Sequence, residues 1–544
     1  MRILGISSTH DSSVCLLNDG VIERFYKEER LTRKKRDHTP FTSLLKIYQE
    51  FGETIDHVVL SSPSPNTSFD LGIFCEKVFK KPVKYVCDQH HLQHASLAFY
   101  DSGFDECITV VVDRNGSKCE DYFRESESVY YCSYPNQFKE IYKSFWKIDI
   151  GDQHLENILN SLRQNNPYGT YVCDSHFNIT KVYESATTLI GEHPLENGKT
   201  MGLASYGEDS KFYRLFDDSI PNDKYFYHLE KDWHPAMPMS VFKKYDHKTT
   251  RKVTEENYQF YADYAFQVQK QTQTALGDLI EKYTSNFNTK NICITGGYGL
   301  NIVSNAYLID RFPEKTFFFE PLSDDSGNSI GCALLLYHQL TQSPKKFNSL
   351  MTFFHGREHN IPQEYKNCDD DYIVDCLLNK KSVGVYNGLA ESGPRSLGNR
   401  SILFDCRVKN SRDVVNRIKK REWYRPFAAI CLESDARKIF DMGSVTSSEY
   451  MTINFKIKPQ YIDNFPGIVH VDGTCRIQTI KEDHHLFHLL SKIKEKTGYG
   501  ILLNTSFNLA GEPLVETPEE ALNVLNSSDL DLIWFPKTNQ YIEK

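Results

Sequence analysis

Residues 3–30 read ILGISSTHDSSVCLLNDGVIERFYKEER, and residues 107–134 read CITVVVDRNGSKCEDYFRESESVYYCSY. In the first stretch an apolar run meets the polar turn THDSS, a second apolar run follows, and Asp19-Gly20 leads into VIERFY. That order spells strand, turn, strand, hairpin, strand, because Asp-Gly supplies the positive φ a tight hairpin needs. The second stretch repeats the plan. Its apolar strand ends in Asp113, a glycine follows at Gly116, and two further strand candidates come after. Two such stretches predict an internally duplicated α/β fold. Further along, YQFYADYAFQVQKQTQTALGDLIEKYT (258–284) carries apolar residues at helical spacing. NICITGGYGLN (291–301) then reads as a buried strand running into a glycine turn and a helix.

A length of 544 residues suits roughly two to four domains. The polar stretch TQSPKKFNS (341–349) is the best linker candidate, which divides the chain into residues 1–345 and 350–544. No apolar run reaches the ~18 residues of a membrane span. The N-terminus MRILGISS reads as a first strand, not a signal peptide, so a cytoplasmic chain is expected. The 14 cysteines are scattered without a C-x-x-C pair, which fits reduced thiols packed as small apolar groups. A net charge of -9 argues against coating nucleic acid, since phosphate neutralisation requires concentrated Lys and Arg. Local basic clusters at 30–36 (RLTRKKR) and 419–425 (KKREWYR) still allow a local anion site.

Residues 88–95, DQHHLQHA, crowd three histidines together. On a helix His90 and His94 lie one turn apart on one face, where two imidazoles can share a metal, whereas His91 points about 100° away. Asp113 closes a strand, and Asp325 in SDDSG precedes a glycine that would start a helix. His90, His94, Asp113 and Asp325 form a mixed nitrogen–oxygen set suited to Fe(II), Mn or Zn. The histidine spacing alone also fits a pair of surface or core histidines.

Taken in order, further motifs extend the pattern over nearly the whole chain. They are GKTMGLASYG (198–207), GGYGLN (296–301), PLSDDSG (321–327), ESGPRSLGNRSIL (391–403), KKREWYRPFA (419–428), VDGTCRIQTI (471–480) and NTSFNLAGEP (504–513). With ILGISSTHDSS, EERLTRKKR and HHLQHA, this set resembles the O-carbamoyltransferase family of nodulation-factor and antibiotic biosynthesis, the NodU and CmcH type that includes the tobramycin and cephamycin enzymes. The resemblance implies an N-terminal actin-like (ASKHA, Kae1-like) duplicated domain and a C-terminal YrdC-like α/β domain. It also implies an ATP-dependent enzyme that makes carbamoyl adenylate from carbamoyl phosphate and ATP with Mg, then passes the carbamoyl group to an acceptor hydroxyl. The metal set falls on His90, His94, Asp113 and Asp325, with Fe(II) or another divalent ion, and His10 falls on the general base. Two departures stand out. DRNGS (113–117) stands where the family has Asp-Gly, so Arg114 and Asn115 follow Asp113 where a tight glycine turn is usual, and SYG replaces PYG at 205–207.

Each role has a chemical reason. An alcohol is a poor nucleophile at neutral pH, and an imidazole with an ordinary pKa near ~6.5 suits its deprotonation by His10. GGYGLN offers the backbone N–H groups of Gly296 and Gly297, with Asn301, as a seat for phosphates; a glycine pair used for close packing is the competing reading. Bringing two anions together requires a cationic cradle, for which Arg395, Arg400, Lys419, Arg421 and Arg425 are the candidates. Ser506 and Asn508, at a strand end, are placed to bind the carbamoyl amide or phosphate oxygens. No His or Lys adjacent in sequence would activate Ser506 as a nucleophile.

A small-molecule hydroxyl is the default acceptor, without a membrane partner, and a homodimer is compatible. A hydroxymethylpyrimidine in a nucleotide or nucleic acid is a second acceptor class, prompted by RLTRKKR. From a different class comes a non-catalytic, nucleotide-binding actin-like scaffold. A threonylcarbamoyl-tRNA synthase fusion fits the acidic charge less well, and a hydrogenase-maturation enzyme would need C-x-x-C zinc modules.

Overall fold

The computed structural model describes residues 1–63, 65–119, 123–147, 152–167, 169–173, 179–209, 225–229, 232–238, 253–344, 353–362 and 364–544. It divides into two compact units, Met1–Arg24 with His38–Leu350, and Phe25–Asp37 with Met351–Lys544.

In the first unit, β1 (Arg2–Ser7), β2 (Ser13–Asn18), β3 (Val21–Lys27), β4 (His57–Ser61) and β5 (Val83–Tyr85) form one sheet in the order β3-β2-β1-β4-β5. β1 runs antiparallel to β2 and parallel to β4. Asp19 and Gly20 both take positive φ, 49° and 83°, so the hairpin turn is the one Asp-Gly favours. The second sheet repeats this order. It is built from β6 (Glu106–Val112), β7 (Lys118–Cys119), β8 (Phe123–Ser133), β9 (Gln137–Lys147) and β10 (Thr170–Cys173). A separate hairpin follows, β11 (Tyr225–Leu229) with β12 (Asp232–Pro238), before β13 (Asn291–Thr295) and β14 (Thr316–Phe319) complete the sheet. Its path is β10-β9-β8-β6-β13-β14. Again the first strand, β6, is antiparallel to its hairpin partner β8 and parallel to β13. The duplication expected from the two sequence stretches is therefore present as a repeated strand order.

Two helices occupy the middle of this unit. The helix His90–Ser102 packs on β6 and β13, and the helix Asn328–Thr341 packs on β1, β2 and β4 and on the first helix. Their approach depends on missing side chains. A Cβ on Gly331 would stand 2.1 Å from the Gln93 carbonyl oxygen, and one on Gly5 would stand 2.0 Å from that of Ser329. The same helix surfaces are stitched by Ser96 Oγ donating to the Gly331 carbonyl at 2.9 Å and by Ser13 Oγ to Ser329 Oγ at 2.8 Å.

The second unit is built on a mixed ten-stranded sheet ordered β15-β24-β23-β16-β17-β22-β18-β21-β20-β19. In chain order these are β15 (Lys366–Asn367), β16 (Val383–Tyr386), β17 (Arg400–Phe404), β18 (Ala428–Leu432), β19 (Phe440–Asp441), β20 (Asn454–Ile457), β21 (Thr474–Ile480), β22 (Ile501–Ser506), β23 (Leu532–Phe535) and β24 (Gln540–Glu543). Buried Leu, Ile and Val of these strands, with Trp534 and the helix Phe487–Thr497, form one core cluster. Phe507, Phe535 and the helix Pro518–Ser527 form another. Residues 25–37 belong to this unit, so the division is not the simple cut near 345–350 read from the sequence. The reason is Arg33, whose guanidinium donates to the Leu514 and Pro513 carbonyls at 2.6 and 2.9 Å and pairs with Glu520 at 3.2 Å. Residues 345–349 of the expected linker lie outside the described residues. Among the described residues no helix is long and apolar enough to cross a membrane.

The contact at Gly331 gives a direct test. Gly331→Ala should destabilise the protein by about 1–3 kcal/mol, because the added methyl meets backbone and not a side chain that can turn away. A wild-type thermal unfolding midpoint in this variant would show that the helices do not approach this closely.

Candidate functional site

The His90–Ser102 helix begins at the cluster itself. The His90 backbone N–H donates to Ser117 Oγ at 2.9 Å, which fixes the helix start beside the turn that follows β6. On the first turn His90 and His94 present their rings to each other, with their Nε2 atoms 3.3 Å apart. Asp113 lies just past the end of β6, and Asp325 opens the short turn before the Asn328–Thr341 helix. His90 Nε2 is 3.3 Å from Asp113 Oδ2 and 3.4 Å from Asp325 Oδ1, and His94 Nε2 is 3.5 Å from Asp325 Oδ1. One donor atom from each of the four buried residues lies within 4.8 Å of all the others. These separations exceed a good charge-assisted hydrogen bond, as expected of ligands arranged round a common centre.

The donor chemistry fits a divalent cation. Two imidazole nitrogens and two carboxylates converge in a buried space, and His94 Nδ1 has no hydrogen-bond partner among the described residues. Gly297 N–H donates to Asp113 Oδ1 at 3.1 Å, an outer contact that holds the carboxylate in place. Asn328 Nδ2 stands 3.3 Å from His90 Nδ1 and 3.2 Å from His94 Nε2. Sequence reasoning missed Asn328, although it lies three residues after Asp325. His91 turns away, its Nδ1 2.7 Å from Ser128 Oγ. Burial lowers its pKa to about 4, which keeps it neutral.

Charge in this pocket is tightly linked. Burial opposes charging His90, but Asp325 and Asp113 outweigh it and raise its pKa to about 10. Burial and the mutual repulsion of the carboxylates push Asp113 upward, yet His90 and His94 hold it well below the usual carboxylate range. Asp325 is likewise held low against its burial, by His90, His10 and His94. His10 stands in the turn between β1 and β2, its Nδ1 3.3 Å from Asp325 Oδ2 and its Nε2 3.4 Å from Asp11 Oδ2. It is partly exposed, so a base at this position has a way to solvent or substrate.

GGYGLN is placed for packing against this cluster. Gly296 has φ 82°, and a Cβ there would stand 2.5 Å from the Val112 carbonyl oxygen. With Gly297 N–H spent on Asp113 and Asn301 Oδ1 accepting from Ser304 N at 3.1 Å as a helix cap, the loop serves the structure first. Lys199 pairs with Glu192 at 2.7 Å.

In the second unit, the helix Ser411–Lys419 ends where β22 ends. The buried Lys419 Nζ donates to the Ser506 carbonyl, to Ser506 Oγ at 3.0 Å, to the Asn508 carbonyl at 2.7 Å and to Asn508 Oδ1 at 2.5 Å. Ser506 Oγ donates to Asn508 Oδ1 at 2.7 Å. Lys419, read from one motif, and Ser506 and Asn508, read from another, thus meet in one knot. Burial, then Arg421 and Arg425, lower the Lys419 pKa well below that of a free lysine. Arg421 is similarly affected by burial, Arg425 and Arg476. Its guanidinium lies 3.9 Å from the Phe427 ring centroid, with Nε on Asn416 Oδ1 at 2.8 Å. Arg476, which sequence reasoning left unassigned inside VDGTCRIQTI, feels Arg395 and Arg425 beyond its burial, and its Nε has no partner among the described residues.

Arg400 does not join this group, which corrects its placement in the cradle. It is fully buried, its donors are spent on the carbonyls of Val515, Asn387, Asn399, Gly388 and Glu516, and it stacks 3.6 Å from the Tyr386 ring centroid. The guanidinium ties a loop together and has no free face for phosphate.

Residues 44–334 match the family described as Carbamoyltransferase N-terminus, and residues 374–542 match Carbamoyltransferase C-terminus. The chain belongs to the carbamoyltransferase family and is a carbamoyltransferase enzyme. Nodulation protein NolNO of Sinorhizobium fredii is 24% identical over 96% of this chain and 77% of its own length. Nodulation protein U of Rhizobium tropici is 35% identical over 41% of this chain and 39% of its own. The crystal structure of full-length HypF in its phosphate- and nucleotide-bound form is 15% identical, covers 62% of this chain and 56% of that one, and has a TM-score of 0.38.

Removing divalent cations should expose the charge linkage. A raised His90 pKa contributes stability that is complete below the unfolded value of ~6.5 and is lost as pH climbs through about 10. The lowered aspartate pKa values contribute stability that is present above about pH 4 and lost below it. Denaturant titrations of chelated protein should therefore show stability falling from neutral to alkaline pH. His90→Ala should flatten that fall, and added divalent cation should release protons from the wild type. An unchanged alkaline limb in His90→Ala would disprove the linkage.

Proposed function

We propose that this carbamoyltransferase forms carbamoyl adenylate from carbamoyl phosphate and ATP in the unit containing residues 351–544, and transfers the carbamoyl group to an acceptor hydroxyl at the His90–His94–Asp113–Asp325 cluster. The observation that carries this reading is the four-donor cluster with His10 against Asp325. The repeated strand order of the first unit supports an actin-like, Kae1-type duplicated fold, and we assign the second unit to the YrdC-like class.

In the first step the substrates are anions that repel one another. Lys419, Arg421, Arg425 and Arg476, with Arg395 acting on Arg476, supply the opposing charge. Carbamoyl phosphate, ATP and one water yield carbamoyl adenylate, pyrophosphate and phosphate. The Lys419–Ser506–Asn508 knot orients hydroxyl and amide groups at the end of β22, where they can bind the carbamoyl amide or a phosphate oxygen.

In the second step the acceptor oxygen attacks the carbamoyl carbon and adenylate leaves. His10 receives the acceptor proton, and Asp11 and Asp325 on either side of its ring stabilise the imidazolium that forms. A divalent ion, Fe(II) among those this set accepts, would be held by His90, His94, Asp113 and Asp325 and would supply Lewis-acid polarisation of the carbonyl. Asn328 and Gly297 keep the imidazoles and Asp113 from turning away. A small-molecule hydroxyl is the acceptor class we favour. Arg33 of RLTRKKR is spent on the carbonyls of Leu514 and Pro513, which leaves that stretch less charge for a nucleic acid.

Two measurements separate the steps. Wild-type protein should catalyse ATP–pyrophosphate exchange that depends on carbamoyl phosphate, and Lys419→Ala should reduce that exchange by about a hundredfold or more, as expected for losing a buried charged contact. His90→Ala and His94→Ala should retain exchange but lose bound metal and carbamoyl transfer, read as the mass gain of one carbamoyl group on the acceptor. Absence of carbamoyl phosphate-dependent exchange in the wild type would refute the adenylate step.

A further inference from the structure

The turn after β6 carries charge that this chemistry does not use. Arg114, next to Asp113, donates from Nε and Nη2 to Glu184 Oε1 at 2.9 and 2.6 Å, and Lys181 Nζ donates to Glu184 Oε2 at 3.1 Å. Lys181 and Glu184 stand on the helix Ile179–Leu189, which is held at this turn by Thr180 Oγ1 donating to the Asp113 carbonyl at 2.9 Å. Arg124, on β8, reaches back across the same turn, its Nη1 donating to the Gly116 carbonyl at 3.2 Å.

The three cations are close enough to feel one another. Burial, then the Arg114 charge, lowers the Arg124 pKa. Burial outweighs Glu184 and, with Arg114 and Arg124 adding to it, brings Lys181 down to about 8. The Lys181 ammonium lies 4.2 Å from the Trp146 ring centroid, and Trp146 Nε1 is buried without a partner among the described residues. Among the described residues, Arg114 and Lys181 share Glu184, Arg114 also lies in the field of Asp113 and Asp325, and Arg124 is held by a neutral carbonyl. Positive charge withdrawn from water in this way is costly unless an anion completes it. Guanidinium forks, an ammonium and an N–H donor are the groups that receive a phosphate.

We infer that Arg114, Arg124 and Lys181 seat the phosphate of the acceptor, so the hydroxyl to be carbamoylated is carried by a phosphomonoester such as a nucleoside monophosphate or a sugar phosphate. This rests on reading the first unit as the transfer site.

Three measurements on the full chain test it. Calorimetric titration with inorganic phosphate should reveal one more site in the wild type than in Arg114→Gln/Arg124→Gln; equal stoichiometry overturns the seat. With wild-type protein, phosphorylated and dephosphorylated members of the same nucleoside and sugar pairs are offered as acceptors. A carbamoyl mass gain confined to the phosphorylated members supports the inference, and equal gain on both overturns it. For a phosphorylated acceptor, Arg114→Gln should raise KM about tenfold or more, with partial recovery in Arg114→Lys. If the KM for ATP rises in its place, the phosphate belongs to the donor nucleotide and the acceptor seat is refuted. Missing ATP–pyrophosphate exchange would overturn the adenylate step alone, since the phosphate titration does not depend on it.

Discussion

Two carboxylates, Asp113 and Asp325, are buried side by side with their nearest oxygens inside a 4.8 Å cluster. At ~4 Å and an effective dielectric of ~20, two like charges repel by about 4 kcal/mol. The fold must therefore bring positive charge to this point. His90 does so when protonated, with His94 and His10 facing the same carboxylates. A divalent cation can take over that function, because the atoms that compensate the aspartates without it are the nitrogens and oxygens that would ligate it. The glycine contacts that let the two central helices meet are a consequence of the same demand, since His90 and His94 stand on one helix and Asp325 stands directly before the other.

The second unit has the opposite problem. Lys419, Arg421 and Arg476 are withdrawn from water and all their pKa values fall, chiefly through burial. Such a cluster is held in place by neutral acceptors, the Ser506 and Asn508 oxygens for Lys419 and Asn416 for Arg421, and not by enough carboxylates to cancel it. Neutral acceptors fix the geometry without cancelling the charge, and they occupy every N–H of Lys419. The contrast with Arg400 is instructive. That guanidinium is also buried, but five carbonyls and an aromatic face consume it, and it works as a loop clamp.

The apolar runs and the Asp-Gly hairpin revealed the repeated strands because such signals are local. The His90–His94 spacing similarly became a shared helix face once the helix was present. Asp113 and Asp325 were legible because each sits where a strand or turn ends at a glycine-containing segment. Arg400 was misjudged because its chemistry depends on carbonyls from residues 387–388 and 515–516, which no sequence window contains. Arg476 was invisible for a related reason: an arginine inside a strand pattern looks like an outward-facing residue until neighbouring strands bury it. Residues 25–37 escaped too, because basic composition suggests solvent or phosphate, whereas Arg33 finds backbone carbonyls some 480 residues away in the chain.

The duplication explains more than the strand order. His10 follows β1 and Asp113 follows β6, so the two groups occupy the corresponding turn of each repeat. Asp325, which lies beyond β14, accepts both halves: His10 approaches one of its carboxylate oxygens and His90 the other. A duplicated scaffold brings such turns to one place by symmetry, after which each can diverge on its own. The first turn acquired an imidazole with an acidic neighbour, Asp11. The second acquired a carboxylate followed by Arg114, whose guanidinium is directed to Glu184. Asp113 is fixed independently of Arg114, by Gly297 at its carboxylate and by Thr180 at its carbonyl. The cluster at 90, 94, 113 and 325 is therefore positioned by contacts other than those of Arg114 and Arg124.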